Sequence, residues 1–352
     1  MIKKTFPFIF LLVLTMLLSS WGGVGHTIIN KKCTESFPAS MAAFNVWSDS
    51  LASNASNADN RKDWDYANES PKHYIDIDNY PEFISTGRIA STYDSIVNIH
   101  NAAYIVSNGS LPWATVNMYD SLKVDFQKRK WHKAMLDASD LGHYVGDGHM
   151  PLHLTANFNG GKTTQSGIHS RYEFDMVGAY QPELNNYKGD PVNFVSNINK
   201  YIFDYIYFDF KYKDSVLIAD IYAKSTPTYT ASLWSKTHFT TMLFHNSSHS
   251  IAELIYTAWV EAGSPAFGAK TQTLILNTLG SNISVYPNPT AGNLNLIGDN
   301  ILKTEVSSIT GTLLGTYYDR HVNLSNLCNG MYILSIYGKE GLLKKEKVLV
   351  AK

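Results

Sequence analysis

The sequence predicts a mainly helical domain followed by a small all-β sandwich. Apolar residues recur at three- and four-residue spacing through the first three quarters of the chain, which is the period of a helix with one buried face. After Gly263 the pattern changes to short runs of alternating apolar and polar residues between turn-forming residues, which is typical of strands. At 352 residues the chain is long enough for one large domain and one smaller one.

The helical period is clearest in four segments, and the alternating pattern occurs in five. The helical segments are 89–106, 113–154, 191–210 and 239–262. The strand segments are 283–286, 293–297, 304–308, 331–337 and 346–350. We therefore expect a helical domain over residues 21–275 and a β-sandwich over 280–352.

Composition and charge exclude several classes of protein. With 44% hydrophobic and 17% charged residues, most of the chain is not disordered. The 29 basic and 30 acidic residues leave no broad basic surface, which argues against nucleic-acid binding by blanket phosphate neutralisation. The two cysteines, Cys33 and Cys328, exclude a disulfide framework and a cysteine-rich zinc module, and their pairing stays open. A metal in this protein must be held by nitrogen and oxygen.

The first 20 residues have the pattern of a secretory signal peptide. Lys3 and Lys4 precede an apolar run over 6–18, and Ser19 and Ser20 supply small residues before Trp21. The alternative is an uncleaved membrane anchor, but the run is about 13 residues long and a spanning helix needs roughly 20. The mature chain is expected to begin at Trp21 and to be secreted or held at the cell surface, with no stable protein partner.

The densest group of potential metal ligands lies within residues 143–153. His143 and Asp147 are four residues apart, so a helix places them on one face. Pro151 interrupts that helix and can turn His153 toward a second ion. A second pair at the same spacing, His169 and Glu173, follows. A single histidine on an amphipathic helix is more often a core or surface residue, but the joint pattern favours ligands, and imidazole with carboxylate and no thiolate suits catalytic zinc.

The C-terminal segment resembles the type IX secretion sorting domain of exported Bacteroidetes proteins. The motif residues lie in Val285-Tyr286-Pro287-Asn288-Pro289-Thr290, Leu324-Ser325-Asn326-Leu327 and Gly330-Met331-Tyr332. The resemblance covers about 70 residues and implies export across the outer membrane by the type IX secretion machinery, with the tail removed or kept as an anchor. The alternative is an ordinary β-sandwich accessory domain.

The helical segment resembles the superfamily of zinc-dependent phospholipases C and single-strand-specific nucleases. The resemblance rests on the ligand run, on Trp21 through His26 directly after the predicted cleavage site, and on Asp59, which precedes His73 by 14 residues. It is strong over 21–177 and looser beyond. It implies the helical fold of that superfamily, with three bound zinc ions.

The resemblance also implies nine ligands, with Asp147 shared between two ions. They are Asp59, His73, His143 and Asp147 for the first ion, His153, His169 and Glu173 for the second, and Trp21, His26 and Asp147 for the third. The Trp21 amino group can serve only after cleavage directly before it.

Several of these residues have alternative interpretations. Asp59 could instead cap a helix, with Asp63 and Asp65 as rival ligands, and His26 could be structural. Lys62 fits a solvated surface lysine better than a contact to substrate phosphate.

Three further residues are interpreted as lying outside the ligand set, one as supporting the ligands and the two carboxylates as either supporting them or structural. They are His149, Asp76 and Asp78.

The ligand pattern indicates phosphodiester hydrolysis, with Asp59 orienting or deprotonating the attacking water. Glu173 and the interval before His73 are similar to the phospholipase C branch, whereas the short interval from Trp21 to His26 and the presence of His149 are similar to the nuclease branch. Phospholipid hydrolysis is therefore the leading prediction, and hydrolysis of single-stranded nucleic acid or 3'-nucleotides is second. A third alternative is a non-catalytic surface protein stabilised by metal.

A nuclease would need aromatic side chains near the metals to stack on bases. The candidates are Trp47, Trp64, Tyr66 and Tyr74.

Overall fold

The computed structural model describes residues 22–268, 283–308, 312–339 and 341–352. The described residues form two compact units, one up to 268 and one from 283 onward. Trp21, the predicted cleavage site and the predicted boundary between 275 and 280 lie outside the described residues. The cleavage site and the domain boundary therefore stay predictions.

The first unit is mainly helical, as predicted. Its α-helices are α1 (Gly22–Lys32), α2 (Ser48–Asn54), α3 (Asn57–Glu69), α4 (Pro81–Thr86), α5 (Tyr93–Ile99), α6 (Ala102–Ser107), α7 (Leu111–Gln127), α8 (Trp131–Gly148), α9 (Ile168–Ser170), α10 (Val177–Ala179), α11 (Gln181–Leu184), α12 (Ile198–Phe210), α13 (Lys213–Lys224), α14 (Tyr229–Lys236) and α15 (Phe239–Glu261). Tighter 3-10 turns cover Cys33–Ser36, Ala39–Trp47, Ser70–His73, Ile77–Asn79, Pro151–Leu154 and Gly161–Thr163, and a π-helix covers Arg171–Met176. Every helix in the described part of the chain is too short or too polar to cross a bilayer.

Helix α8 lies at the centre of this unit because it contributes to two apolar clusters. Leu141 and Val145 belong to the larger cluster, which also contains residues of α1, α7 and α15. Tyr144 belongs to the second cluster, with residues of α7 and α12. The last two turns of α8 are buried on every side. Polar side chains placed there have no access to bulk water and must find partners inside the protein.

Two glycines of α8 let α1 approach closely. A β-carbon added at Gly142 would lie 2.1 Å from Asn30 Oδ1, and one added at Gly146 would lie 2.5 Å from Ile29 Cδ1 and 2.9 Å from His26 Nδ1. Only a residue without a side chain fits at such separations. The close contact places His26 against the buried end of α8.

The predicted helix boundaries needed correction in three places. The segment 113–154 is α7 and α8 separated by Arg129, whose φ of 52° cannot continue a helix, followed by the 3-10 turn at Pro151. The segment 89–106 is divided in the same way at Asn101, where φ is 79°. In 191–210 the helix begins only at Ile198. The segment 239–262 agrees with α15 to within a residue.

The second unit is a β-sandwich, as predicted. Its strands are β1 (Ser284–Tyr286), β2 (Asn293–Ile297), β3 (Lys303–Ser308), β4 (Leu313–Tyr317), β5 (His321–Asn323), β6 (Gly330–Gly338) and β7 (Gly341–Val350). They form antiparallel sheets with the orders β1-β2-β5 and β4-β3-β6-β7. Apolar residues of both sheets, such as Leu294, Val322 and Leu334, share one core. Strands β4 and β5 are additional to the five predicted from sequence.

Candidate metal centre

Four of the predicted ligands meet at the buried end of α8. His73 Nδ1 lies 3.0 Å from both His143 Nε2 and Asp147 Oδ2, which are themselves 3.5 Å apart. Asp59 Oδ1 lies 3.5 Å from the same nitrogens of His73 and His143. A tetrahedral ion with ligands at about 2.1 Å requires donor separations of about 3.4 Å. His73, His143 and Asp147 therefore have the spacing of ligands to one ion, and Asp59 lies within reach of the two imidazoles and also groups with His26 and His143.

A second group contains His153, His169 and Glu173. The two Nε2 atoms are 3.3 Å apart, and they lie 3.3 and 2.8 Å from oxygens of Glu173. Glu173 is 1% exposed, yet neither of its oxygens has hydrogen-bond geometry to a partner within the described residues. Buried carboxylate oxygens without such a bond are available to ligate a metal ion. Three protein donors with a fourth position open are typical of catalytic zinc.

His26 approaches the first group from the side of α1. Its Nε2 lies 3.4 Å from Asp147 Oδ1, and its ring stacks on that of His143 with centroids 3.8 Å apart. Because Asp147 presents Oδ2 to the first group and Oδ1 to His26, its carboxylate has the orientation that a bridging ligand needs. Trp21, the partner expected for His26, lies outside the described residues.

Local backbone features bring these ligands together. Helix α8 holds His143 and Asp147 one turn apart. The 3-10 turn that starts at Pro151 redirects the chain so that His153 points back toward the site. Glu173 lies on a π-helix, a rare form that is frequent at functional sites. The sequence predicted the proline break but not the π-helix.

Two of the histidine rings are oriented by backbone carbonyl groups. Nδ1 of His143 donates to the Ala55 carbonyl at 2.7 Å, and Nδ1 of His153 donates to the His73 carbonyl at 2.5 Å. In the neutral form of each ring the proton is on Nδ1, so Nε2 directs its lone pair at the ligand group. In His73 the arrangement is reversed: Nδ1 faces His143 and Asp147, and Nε2 points away from them.

Charges within the site compensate one another. Burial opposes ionisation of Asp147, but His143 and His153 hold the pKa of its carboxyl well below the usual range. Burial likewise disfavours charge on Glu173, yet His169 and His153 lower its pKa to about 2. Burial disfavours the imidazolium form of His143, whereas Asp59 and Asp147 raise its pKa to about 9. The site therefore contains stable carboxylates, the form that binds a divalent cation.

The structure distinguishes Asp59 from its rival Asp65 and corrects the prediction for Lys62. Asp59 reaches the ligand group, whereas Asp65 lies at a kink in α3 and accepts a hydrogen bond from Asn68. The Lys62 side chain is only 13% exposed, and its Nζ lies 2.6 Å from Asp59 Oδ1. The expectation of a solvated surface lysine is wrong, because this ammonium group is held against a site carboxylate.

Asp76 and Asp78 lie beside the turn that carries His153. Asp78 accepts hydrogen bonds from Thr155 Oγ1 at 2.6 Å and from the Ala156 amide at 2.8 Å, so it fixes the chain that leaves His153. Burial and the neighbouring Asp78 raise the pKa of Asp76 to about 6.

His149 is part of a buried polar network next to the site. Its Nδ1 lies 2.5 Å from Asp209 Oδ2 and its Nε2 lies 3.1 Å from Ser250 Oγ. Its ring stacks on Tyr205 with centroids 4.3 Å apart. These partners occupy both ring nitrogens, in agreement with a supporting role.

The aromatic candidates divide into one core residue and three nearer the surface. Trp47 is buried and stacks on Phe126, so it is wrong as a base-stacking candidate. Trp64 and Tyr66 are 72% and 64% exposed, and Tyr74 is partly buried. Sequence reasoning missed Phe158, which is 38% exposed and lies edge-on to His169 with ring centroids 5.8 Å apart.

Together, the helical fold and the buried array of imidazoles and carboxylates are those of a hydrolase whose site could bind metal, and the chain also carries a β-sandwich. The chain belongs to the S1/P1 nuclease family, whose sequence profile matches residues 21–267. Residues 284–351 match the secretion system C-terminal sorting domain. The protein is therefore a phosphodiesterase-type hydrolase that is exported by type IX secretion to the cell surface or the extracellular space.

Two solved structures are similar over nearly the whole chain. The alpha toxin of Clostridium absonum has 12% sequence identity and a TM-score of 0.46, and the alignment covers 95% of this chain and 98% of the toxin. For the alpha-toxin of Clostridium perfringens from an avian strain, the values are 11%, 0.46, 94% and 95%. Similarity at this level says nothing about substrate. No curated protein matches the chain.

Proposed function

We propose that the protein is a secreted phosphodiesterase that uses three zinc ions. The observation that carries this proposal is the spacing of donor atoms: separations of 3.0–3.5 Å among His73, His143 and Asp147 are those of ligands around one small cation, and Asp59 lies 3.5 Å from both imidazoles. The second group and the bridging orientation of Asp147 support two further ions. Asp59 and the eight other predicted ligands, with Trp21 among them, are proposed in these roles.

When bound, the zinc ions would supply Lewis acidity and a water of lowered pKa, which suits hydrolysis of a phosphodiester. The chain's own contribution centres on Asp59. Its Oδ1 is held by Lys62, while its buried Oδ2 has no hydrogen-bond partner in the described parts of the chain. Asp59 Oδ2 can therefore accept a hydrogen bond or a proton from the attacking water. We propose that Lys62, which pairs with Asp59, also offsets negative charge on the substrate phosphate.

For the substrate we propose single-stranded nucleic acid or a 3'-nucleotide. The family match falls on the nuclease branch, which reverses the order of preference expected from sequence. The exposed ring of Phe158, which lies edge-on to His169, supports base stacking. Phospholipase C-like hydrolysis is the second candidate, because the glutamate at position 173 of the ligand set resembles that branch.

The test is to assay the purified secreted protein on single-stranded DNA and on phosphatidylcholine vesicles, with and without a chelator, and to measure its zinc content. We expect DNA hydrolysis that the chelator abolishes and added zinc restores, with three zinc ions per chain. Hydrolysis of the vesicles alone would favour the phospholipase. Activity on neither substrate despite bound zinc would refute the enzyme proposal and favour a metal-stabilised surface protein.

A further inference from the structure

Glu69 lies against the side of the His73 ring that faces away from the ligand group. It is the last residue of α3 and is 1% exposed. Its Oε1 lies 3.4 Å from His73 Nε2, while His73 Nδ1 faces His143 and Asp147 at 3.0 Å. The imidazole is therefore held between a buried carboxylate and the candidate metal site.

The Glu69 carboxylate is held in place by three other side chains. Oε1 accepts hydrogen bonds from Tyr144 Oη at 2.5 Å and from Arg61 Nη2 at 3.2 Å, and Oε2 accepts one from Lys72 Nζ at 2.8 Å. Two of these partners, Arg61 and Lys72, are cations that pair with the carboxylate. Glu69 is thus a carboxylate with a fixed position.

This arrangement distinguishes His73 from the other oriented histidines. His143 and His153 each donate to a neutral backbone carbonyl, whereas the outward nitrogen of His73 lies 3.4 Å from a carboxylate oxygen, at ion-pair distance but without hydrogen-bond geometry. A carboxylate in this position favours the tautomer with the proton on Nε2. It fixes the plane of the ring and makes Nδ1 a stronger electron donor.

We propose that Glu69 is a positioning residue that sets the tautomer and orientation of His73 and thereby the zinc affinity of the first ligand group. The inference rests on the zinc centre of the proposed function. The competing explanation is that Glu69 only joins α3 to α8, through Tyr144 and through the bond from Arg61 to Asp140.

The test compares Glu69→Gln with Asp140→Asn in the purified secreted protein. Both changes remove one negative charge from the partners of Arg61, but only Glu69 contacts His73. Metal is removed with a chelator, and zinc affinity is measured by competition with a chromophoric chelator. We expect Glu69→Gln to weaken the first site about 10- to 100-fold relative to Asp140→Asn, the size of effect seen for outer partners of ligands. Equal affinities in the two variants would overturn the inference.

A second comparison tests whether Glu69 acts through His73. In a His73→Asn background, the Glu69→Gln change should cost less than about twofold in zinc affinity, because coupled residues are not additive. An equal loss in both backgrounds would assign Glu69 to the scaffold and overturn the inference. Substitution with Co²⁺ adds a spectroscopic readout, since a loosened His73 would alter the visible bands of the first site.

Two further results keep the inference separate from the proposed function. A wild-type protein that binds no zinc would refute the proposed function, whereas normal zinc binding in both wild type and Glu69→Gln would refute only the role of Glu69. Should Glu69→Gln fail to fold, Glu69→Asp takes its place, since it keeps the charge but shortens the reach toward His73. We expect it to weaken zinc binding about tenfold, and wild-type affinity in this variant would overturn the inference.

Discussion

Replacement of Asp147 by asparagine tests the centre of the site most directly. The carboxylate is fully buried and lies 3.0 Å from His73, 3.4 Å from His26 and 3.5 Å from both His143 and His153. The change keeps the shape of the side chain and removes the negative charge that two ions would share. We expect zinc affinity to fall at least about 100-fold, more than when an outer partner is lost. We expect kcat/KM to fall about 1,000-fold, or about 4 kcal/mol.

The same change predicts a measurable loss of zinc-dependent stability. At free zinc 100-fold above Kd, a bound ion stabilises the wild-type fold by about 2.7 kcal/mol per site. With a Kd raised 100-fold, the same zinc concentration contributes only about 0.4 kcal/mol. The difference of about 2.3 kcal/mol corresponds to a Tm shift of about 5–9 °C for a domain of this size. Differential scanning calorimetry with zinc and with a chelator measures this increment.

Asp209→Asn is the matched control for Asp147→Asn. Asp209 is equally buried and pairs with His149 at 2.5 Å, and within the described residues it has no hydrogen bond or ion pair to a proposed ligand. Its loss should cost about 3 kcal/mol with or without zinc, because it breaks a buried pair. A zinc-dependent increment in Asp147→Asn equal to that of the wild type would refute our reasoning about the site.

Three further changes have distinct expected outcomes. Glu173→Gln should reduce the zinc content measured by atomic absorption by one ion per chain, and an unchanged content would contradict its ligand role. Gly142→Ala should lower stability to urea by about 1–3 kcal/mol, because its β-carbon would meet Asn30, whereas Gly178→Ala has open space and should not. Burial opposes ionisation of Glu253, but His249 and its other partners outweigh burial and lower its pKa to about 2. The ionised carboxylate therefore stabilises the fold above pH 4.5, and this contribution is lost as the pH falls toward 2. With a chelator present, Glu253→Gln should reduce the acid-dependent loss of unfolding free energy by about 2 kcal/mol. An identical pH profile of stability for wild type and Glu253→Gln would contradict this assignment.

Much of the candidate site was visible in the sequence because its key spacings are local. A helix places residues four apart on one face whatever surrounds it, so the pairs His143 with Asp147 and His169 with Glu173 could be predicted before any fold was known. The same spacing joins Glu69 to His73, and it was missed only because Glu69 lies outside the ligand run. The change from helical to alternating pattern likewise predicted the β-sandwich, since both periods follow from backbone geometry.

The tertiary structure alone decided which distant residues meet. Nothing local distinguishes Asp59 from Asp63 or Asp65, and only the packing of α3 against α8 places the Asp59 carboxylate among the imidazoles. Packing also buries Lys62 against Asp59 and places Trp47 in the core. Contacts between residues far apart in sequence depend on how whole helices pack together, for example where the glycines of α8 allow α1 to approach. The residue spacing within one segment does not determine that packing.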